Sequence, residues 1–306
     1  MGKVLVTSNS FGKFSKEPIE WLEKEGMEVC LNSYGRQMEE QELIQALTDV
    51  EALILSTEKI TKNVLDNCPK LKVISRYGVG LDNVDLDYCR NKGVIVSVTS
   101  GANSNAVAEY TVTSMLAALK GLCYSANEAK KGQWTKLMGL DLAEKTVGVI
   151  GLGAIGKTVI QRLSGFDLNI LGFDQYYDEE FCEKFQVKKA SLNEIFETAD
   201  VITFHIPSNS TTPILSRDNF EKLKKDVVII NTARASLIDY EALYDYLKCG
   251  KVFAAALDVH SDEPTFDKKL MELDNVILTP HNGALSKEAI NRTSMAAVKN
   301  LLKALK

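Results

Sequence analysis

The sequence predicts an α/β protein made of two doubly wound, parallel-sheet domains. Short runs of β-branched residues alternate with amphipathic stretches along most of the chain, a pattern typical of parallel strands joined by crossover helices. The length of 306 residues also exceeds what one hydrophobic core usually supports. With 45% hydrophobic and 25% charged residues, the composition is that of an ordinary soluble globular protein.

The first third of the chain predicts one complete sheet. Its apolar runs predict buried strands at 3–8, 27–33, 52–57, 72–76 and 94–98. Amphipathic stretches between these runs predict helices near 15–25, 39–48, 61–68 and 84–91. A right-handed crossover after each strand makes the sheet parallel and covers both of its faces.

The alternation then stops and later resumes. A helix rich in Ala, Ser and Thr is predicted over 104–120, and no strand is predicted in 121–145. Six further strands are predicted at 146–151, 168–174, 200–206, 227–233, 253–259 and 275–281, and a last helix at 286–305. Because small residues permit close approach, we expect the 104–120 helix to be buried between the domains or at a subunit interface.

The segment GLGAIG, which follows the first strand of the second set, is a glycine fingerprint at a strand–turn–helix junction. Gly151 permits the tight turn, Gly153 lets the backbone approach a pyrophosphate, and Gly156 lets the helix pack closely on the strand. The N–H groups at the helix start, including those of Ala154 and Ile155, are suited to bind phosphate. The predicted ligand is therefore a dinucleotide.

Asp174 indicates which dinucleotide is bound. It ends the next predicted strand, 18 residues after Gly156, where such βαβ units carry their ribose-binding acid. Its carboxylate would accept hydrogen bonds from the adenosine ribose hydroxyls and would repel the 2′-phosphate of NADP. The next three residues, Gln175 to Tyr177, include no arginine, so NAD is the predicted cofactor.

Three later strand ends carry the groups that 2-hydroxy and 2-oxo acid chemistry requires, and open α/β sheets bind ligands at such ends. Arg234 offers a planar cation that matches a carboxylate. His281 can exchange the hydroxyl proton, and Glu263 would hold its imidazole in one tautomer. Singly, these residues also fit a surface ion pair, a loop histidine and a solvated carboxylate. Together they predict a catalytic set.

The other two histidines are given different roles. His205 ends a strand of the nucleotide-binding half and is expected to form a wall on the adenine side. His260 lies in the same short loop as Glu263, and we expect it to line the site or to be structural.

Charge and composition exclude several other classes of protein. The net charge of −5 and pI near 5.5 disfavour a nucleic-acid surface. No apolar run approaches the roughly 18 residues of a membrane span, and the N-terminus has no signal-peptide core. The six cysteines are scattered and form no C-x-x-C pair, which predicts no metal site and fits a reducing cytoplasm.

The chain resembles the D-isomer-specific 2-hydroxyacid dehydrogenase family along nearly its whole length. The resemblance is carried by RYGVGLDNVD at 76–85, NSNAVAE at 103–109, EKTVGVIGLGAIG at 144–156, HIPSNSTT at 205–212, NTARASLID at 231–239, DVHSDEP at 258–264 and TPHNG at 279–283. It implies that Arg234, Glu263 and His281 are the catalytic residues. It places further cofactor contacts within these motifs, at His205, Pro207, Thr212, Thr232, Ala233, Asp258 and Gly283.

The resemblance also implies how the domains are organised. Residues 1–98 and 285–306 would form a discontinuous, flavodoxin-like substrate domain. Residues 99–284 would form a Rossmann NAD domain, in which 104–145 serves as the arm of a homodimer. The substrate carboxylate would be held by Arg234 and by the amides of the loop Tyr77, Gly78, Val79 and Gly80, a glycine-flanked loop suited to binding an anion.

Within the family, 76–85 most resembles short-type phosphoglycerate dehydrogenases, which implies D-3-phosphoglycerate and 3-phosphohydroxypyruvate as the substrate pair. Leu55 stands where those enzymes commonly have a phosphate-side arginine, and Lys59 or Lys136 would have to compensate. Reduction of hydroxypyruvate, glyoxylate or another 2-oxo acid is the alternative. A non-catalytic NAD-sensing module, like the corepressors that resemble this family, is the alternative of another class.

Overall fold

The computed structural model describes residues 2–207 and 212–306, so positions 208–211 of the HIPSNSTT motif lie outside the described residues. The chain divides into two compact units. The first contains the residues up to Asn103 together with Leu285–Lys306, and the second contains Ser104–Ala284. The first boundary therefore falls at 103/104, where 98/99 was expected.

The described part of the first unit contains a five-stranded parallel sheet with the order β2-β1-β3-β4-β5. Its strands are β1 Gly2–Val6, β2 Met27–Leu31, β3 Ala52–Leu55, β4 Val73–Arg76 and β5 Ile95–Val98. The connecting helices are α1 Glu17–Lys24, α2 Glu40–Leu47, α3 Lys62–Asn67 and α4 Leu86–Asn91. Every strand and helix predicted for this region is present, with ends that differ by a few residues.

Side-chain caps explain where several of these helices begin. The hydroxyl of Thr61 accepts a hydrogen bond from the Val64 amide at the start of α3, and the Asp85 carboxylate accepts one from the Tyr88 amide at the start of α4. Each cap satisfies an amide that has no partner within the helix. A polar residue directly before the helical run thus marks the start of α3 and of α4.

The described part of the second unit contains a seven-stranded parallel sheet with the order β12-β11-β10-β9-β6-β7-β8. Its strands are β6 Thr146–Ile150, β7 Asn169–Phe173, β8 Val187–Lys189, β9 Val201–Phe204, β10 Val227–Asn231, β11 Val252–Leu257 and β12 Val276–Leu278. The six predicted strands are present. The prediction of only six was wrong, because the short edge strand β8 has the sequence Val-Lys-Lys and lacks an apolar run.

The helices of the second unit cover both faces of this sheet. They are α5 Ser104–Lys120, α6 Leu122–Lys130, α7 Ala154–Leu163, α8 Glu179–Lys184, α9 Leu192–Thr198, α10 Arg217–Lys222 and α11 Tyr240–Lys248. α5 has the predicted bounds, and its buried side packs against α7, β10 and β11 within the second unit. After α6, the chain has no further helix or strand until β6, and Trp134 and Met138 there are 93% and 90% exposed.

The last helix, α12 Lys287–Leu305, returns to the first unit. Its apolar face, including Ala297, Val298 and Leu301, is buried in one cluster with Val4 and Val6 of β1. α12 therefore completes the core on one face of the first sheet. No helix among the described residues is long and apolar enough to cross a membrane.

Candidate active site

One edge of the second sheet collects the residues that the sequence singled out for the dinucleotide. Because all strands of this sheet are parallel, their carboxyl ends lie at the same edge. Gly151 follows β6, Asp174 follows β7 and His205 follows β9. β7 and β9 lie on opposite sides of β6, so the strand order reverses here, which is where open α/β sheets bind ligands.

The glycine turn after β6 has no room for side chains at two positions. Gly151 has a φ of +106°, and a Cβ atom there would lie 2.5 Å from the carbonyl oxygen of His205. A Cβ atom on Gly156 would lie 1.9 Å from the carbonyl oxygen of Gly151, which holds the start of α7 against the turn. Gly153, by contrast, faces open space, since a Cβ atom there would have no described atom within 4 Å.

This geometry fits a dinucleotide phosphate. Gly153 is the N-cap of α7, so Ala154, Ile155 and Gly156 form its first turn. The first amides of a helix have no intrahelical acceptor, and together with the helix dipole they attract an anion. The open face of Gly153 lets a phosphate approach these groups.

Asp174 is held against the glycine turn. Its Oδ2 accepts a hydrogen bond of 2.6 Å from the Leu152 amide, and its Oδ1 accepts one of 3.1 Å from the Tyr176 amide. The carboxylate therefore has a fixed orientation at the rim of a cavity of about 430 Å³. The cavity is lined by residues that include Gly153, Asp174, His205, Pro207, Thr212 and Ile214. A cavity of this size is large enough for a small-molecule ligand.

His205 lines this cavity as an uncharged ring. Burial lowers the pKa of His205 from 6.5 to about 3, and its Nε2 lies 3.0 Å from the hydroxyl of Thr203. At neutral pH the imidazole is therefore neutral. This suits a wall beside an adenine ring better than it suits proton exchange with a substrate.

His281 and Glu263 form a side-chain pair at the carboxyl ends of β12 and β11. The Nδ1 atom of His281 lies 3.0 Å from Oε1 and 2.9 Å from Oε2 of Glu263. The two side chains are 50% and 38% exposed, so the pair is open to small molecules. Because the glutamate engages Nδ1, the imidazole can use Nε2 to exchange a proton with a substrate.

The turn that carries His281 is built around a buried carboxylate. His281 has a φ of +54°, and its amide donates to the carbonyl oxygen of Thr279 over 3.0 Å. Asp258, only 3% exposed, accepts hydrogen bonds at Oδ1 from the Thr279 hydroxyl at 2.7 Å and the Asn282 amide at 2.8 Å. Its Oδ2 accepts one from the Gly283 amide at 2.8 Å. Asp258 and Gly283 thus shape the turn, and no sequence pattern had indicated the part played by Thr279.

Arg234 follows β10 in an extended conformation, held by a buried asparagine. The side chain of Asn231, which is fully buried, donates to the carbonyl oxygen of Arg234 at 2.8 Å and accepts from the Ala233 amide at 3.0 Å. Nη1 of Arg234 donates to the Ala233 carbonyl oxygen at 2.7 Å. The hydroxyl of Thr232 lies 3.0 Å from that of Thr111 on α5. A polar residue at the buried end of a strand was the available signal for Asn231.

The three residues predicted to be catalytic therefore follow three neighbouring strands. Arg234 comes after β10, Glu263 after β11 and His281 after β12, and these strands are adjacent in the sheet. The dinucleotide residues occupy the ends of β6, β7 and β9 on the same edge. No cluster of three or more metal-binding side chains occurs in the described ranges.

In the first unit, two of the four backbone amides in the loop after β4 already donate hydrogen bonds to other residues of that unit. The Tyr77 amide donates to the Leu55 carbonyl oxygen at 2.7 Å, and the Gly78 amide donates to the Thr99 hydroxyl at 2.9 Å. The Tyr77 side chain is turned inward, where its hydroxyl donates to the Ile290 carbonyl oxygen at 3.1 Å. Within the described structure, the amides of the next two residues make no hydrogen bond, so they remain available to an anion.

The side chain of Arg76 stabilises this loop by hydrogen-bonding its carbonyl groups. Its Nε donates to the Gly80 carbonyl oxygen at 2.9 Å, and its Nη1 donates to the Tyr77 carbonyl oxygen at 2.6 Å and to that of Leu55 at 3.4 Å. Leu55 itself is fully buried. The guanidinium therefore binds carbonyl groups of the protein.

Known proteins resemble this chain over most or all of its length. It is 39% identical over 312 residues to a D-3-phosphoglycerate dehydrogenase of Methanocaldococcus jannaschii, covering all of this chain and 58% of that protein. It is 36% identical to a hydroxypyruvate reductase of Thermotoga maritima, covering 93% and 96% of the two chains. A solved structure from Thermus thermophilus superposes with a TM-score of 0.87 at 31% identity and covers 99% of this chain and 96% of its own.

The match to a family model is confined to the second unit. Residues 112–283 match the model for the NAD binding domain of D-isomer specific 2-hydroxyacid dehydrogenases. This confirms the predicted nicotinamide cofactor, and the two parallel sheets confirm the predicted fold class. The chain belongs to the D-isomer-specific 2-hydroxyacid dehydrogenase family.

Proposed function

We propose that the protein interconverts a D-2-hydroxy acid and its 2-oxo acid with NAD as the redox partner. The observation that carries this proposal is the hydrogen-bonded pair of His281 and Glu263, which shares one sheet edge with Arg234 and the dinucleotide residues. A proton-exchanging imidazole with a fixed orientation and a carboxylate-binding cation are the two groups that the reaction needs from the protein.

In the direction of reduction, each of these residues has one task. Arg234 binds the substrate carboxylate and draws electron density from the adjacent carbonyl group. Protonated His281 gives its Nε2 proton to the carbonyl oxygen, and Glu263 stabilises the positive ring through Nδ1. The glycine turn at Gly151–Gly156 and Asp174 would hold the nicotinamide cofactor, which when bound would supply the hydride chemistry at C2. In oxidation, His281 takes the hydroxyl proton.

The first candidate substrate pair is D-3-phosphoglycerate and 3-phosphohydroxypyruvate. The motif at 76–85 and the similarity to the Methanocaldococcus jannaschii enzyme of that name support it. Because the chain spans only 58% of that relative, the shared name extends to this chain only as a proposal.

Hydroxypyruvate and glyoxylate form the second candidate, and a specific observation favours them. Leu55, which stands where phosphoglycerate enzymes commonly have an arginine, is buried, and Arg76, its pairing partner on the adjacent strand, binds the loop carbonyls through its guanidinium. A phosphate would therefore lack a charge-assisted hydrogen bond of about 1.5–3 kcal/mol from this position. The similarity to the hydroxypyruvate reductase of Thermotoga maritima, which covers nearly both whole chains, agrees with this reading.

We further propose that the first unit is the substrate domain, that the second is the NAD domain, and that 104–145 is the arm of a homodimer. The apolar side chains of Trp134 and Met138, almost fully exposed in one copy, support the dimer. Six free cysteines are consistent with a reducing compartment such as the cytoplasm.

One assay tests the activity and ranks the substrates. The loss of NADH absorbance is followed with 3-phosphohydroxypyruvate, hydroxypyruvate, glyoxylate and pyruvate at matched concentrations. We expect turnover with at least one of them, and a preference for the phosphorylated acid would select the first candidate. Saturable NADH binding without turnover of any oxo acid would refute the proposal and favour the NAD-sensing module.

A further inference from the structure

His260, which has no task in the proposed reaction, hydrogen-bonds both Glu263 and the turn that carries His281. Its backbone amide donates to Oε1 of Glu263 at 3.1 Å. Its ring Nε2 lies 2.8 Å from the carbonyl oxygen of Thr279, which can only accept, so Nε2 carries the proton. The residue therefore joins the loop after β11 to the turn after β12.

The carbonyl group that His260 binds is the one that closes the turn at His281. The Thr279 oxygen accepts from the His260 ring and also from the His281 amide at 3.0 Å. The left-handed backbone of His281, with φ +54°, is a conformation that non-glycine residues rarely adopt. Such a conformation persists only where surrounding contacts over-determine it, and His260 supplies one of them.

The ring of His260 is held in place without forming a proton path. It packs edge-on against Phe266, with the ring centroids 4.7 Å apart. Its Nδ1 is buried and has no hydrogen-bond partner among the described residues. A relay would need a partner on each nitrogen, so the ring is placed to hold a carbonyl group rather than to pass protons.

We propose that His260 is a positioning residue for the catalytic pair. Its amide fixes the Glu263 carboxylate, and its ring fixes the carbonyl on which the turn of His281 closes. The effect on turnover rests on the proposed function. The effect on the tautomer of His281 does not, because it is a property of the protein alone.

Histidine spectra test this without any substrate. The chain has only three histidines, so the imidazoles labelled with ¹⁵N can be resolved singly. At alkaline pH we expect His260 to carry its proton on Nε2 and His281 to carry its proton on Nδ1, facing Glu263. The Nδ1–H tautomer at His260 would overturn the proposal in the wild-type chain, before any variant is made.

Variants then separate the hydrogen bond from ring packing. His260→Phe keeps a ring against Phe266 but removes the donor, whereas His260→Gln keeps an N–H donor. We expect His260→Phe to mix the tautomers of His281 and to lower kcat about 10-fold, less than the roughly 100-fold cost of an ångström of misplacement. NADH affinity should be unchanged, and His260→Gln should restore most of kcat.

The control is Phe266→Leu, which removes the ring contact and leaves both hydrogen bonds of His260. It should retain wild-type tautomers and turnover. If His260→Phe matches the wild type, or if His260→Gln loses as much as His260→Phe, the positioning role is wrong. If the wild type itself turns over no oxo acid, the proposed function fails, while the tautomer result still decides the role of His260.

Discussion

Asp258 holds His281 from both sides through the backbone. Its buried carboxylate binds the hydroxyl of Thr279, two positions before the histidine, and the amides of Asn282 and Gly283, directly after it. No side-chain contact with the imidazole is needed. The orientation of the proposed proton donor is thus set by a residue that never has to touch the substrate.

Replacing Asp258 should damage both stability and turnover. Asp258→Ala leaves the hydroxyl and two amides without their acceptor, and each unsatisfied buried donor costs about 1–3 kcal/mol. We expect a lower free energy of unfolding in urea and a lower kcat. Asp262→Ala, on an exposed position of the neighbouring loop, is the matched control and should change neither quantity. An Asp258→Ala chain as stable and active as the wild type would contradict the structural role.

His281→Ala should remove the proposed proton exchange while leaving the cofactor site intact. We expect kcat to fall at least about 100-fold, the low end of contributions from general acid–base catalysis. NADH binding, followed by fluorescence titration, should be retained. Glu263→Gln keeps a hydrogen-bond acceptor but removes the charge, so its loss should be smaller. Near-wild-type turnover in His281→Ala would remove this residue from the mechanism.

Asp174→Ala should narrow the preference for NAD over NADP, because the carboxylate that would repel a 2′-phosphate is gone. The variant also removes the acceptor of the Leu152 amide, so the affinity for both cofactors should fall. The ratio of kcat/KM for the two cofactors, compared with that of Asp174→Asn, measures the effect. A wild-type chain that already prefers NADPH would show that this acid does not select the cofactor.

His205 should make the protein sensitive to acid. Since burial lowers its pKa to about 3, the folded chain binds fewer protons than the unfolded chain below the ordinary histidine pKa of 6.5. The contribution of the neutral His205 ring to the free energy of unfolding is fully present above pH 6.5 and is lost as the pH falls toward 3. Between about pH 6.5 and pH 5, the loss is at most about 2 kcal/mol. His205→Gln should weaken the dependence of the free energy of unfolding on pH below 6.5, measured by urea titrations at several pH values. An unchanged pH dependence would contradict this role of His205.

The sequence predicted the elements and the placement of the site more completely than the contacts that hold the site. Strand and helix periodicity is local, so α5 was predicted with its observed bounds, and apolar runs marked all strands except β8. β8 lies at the edge of the sheet, and its two lysines are exposed. Its sequence therefore contains no run of apolar residues that would mark a strand.

The supporting contacts were harder to predict because they join distant parts of the chain. Asn231 binds backbone groups of its own loop, and its place at the buried end of a strand was the one signal of such a role. Thr279 binds the Asp258 carboxylate, and nothing in the surrounding sequence marked it. From the sequence, all four amides of the 77–80 loop were expected to be able to bind the substrate carboxylate. Only the fold reveals that the first two of them are already used inside the first unit.

The return of α12 to the first unit affects the order of events during synthesis. The core that contains β1 lacks one of its walls until α12 leaves the ribosome, whereas we expect residues 104–284 to fold once they have emerged. Nascent chains arrested before residue 287 should therefore be cut by protease in their first hundred residues and be protected in the later segment. Equal protection of both would mean that the first sheet is stable without its closing helix. The first sheet would thus be enclosed after the second, although its strands come earlier in the chain.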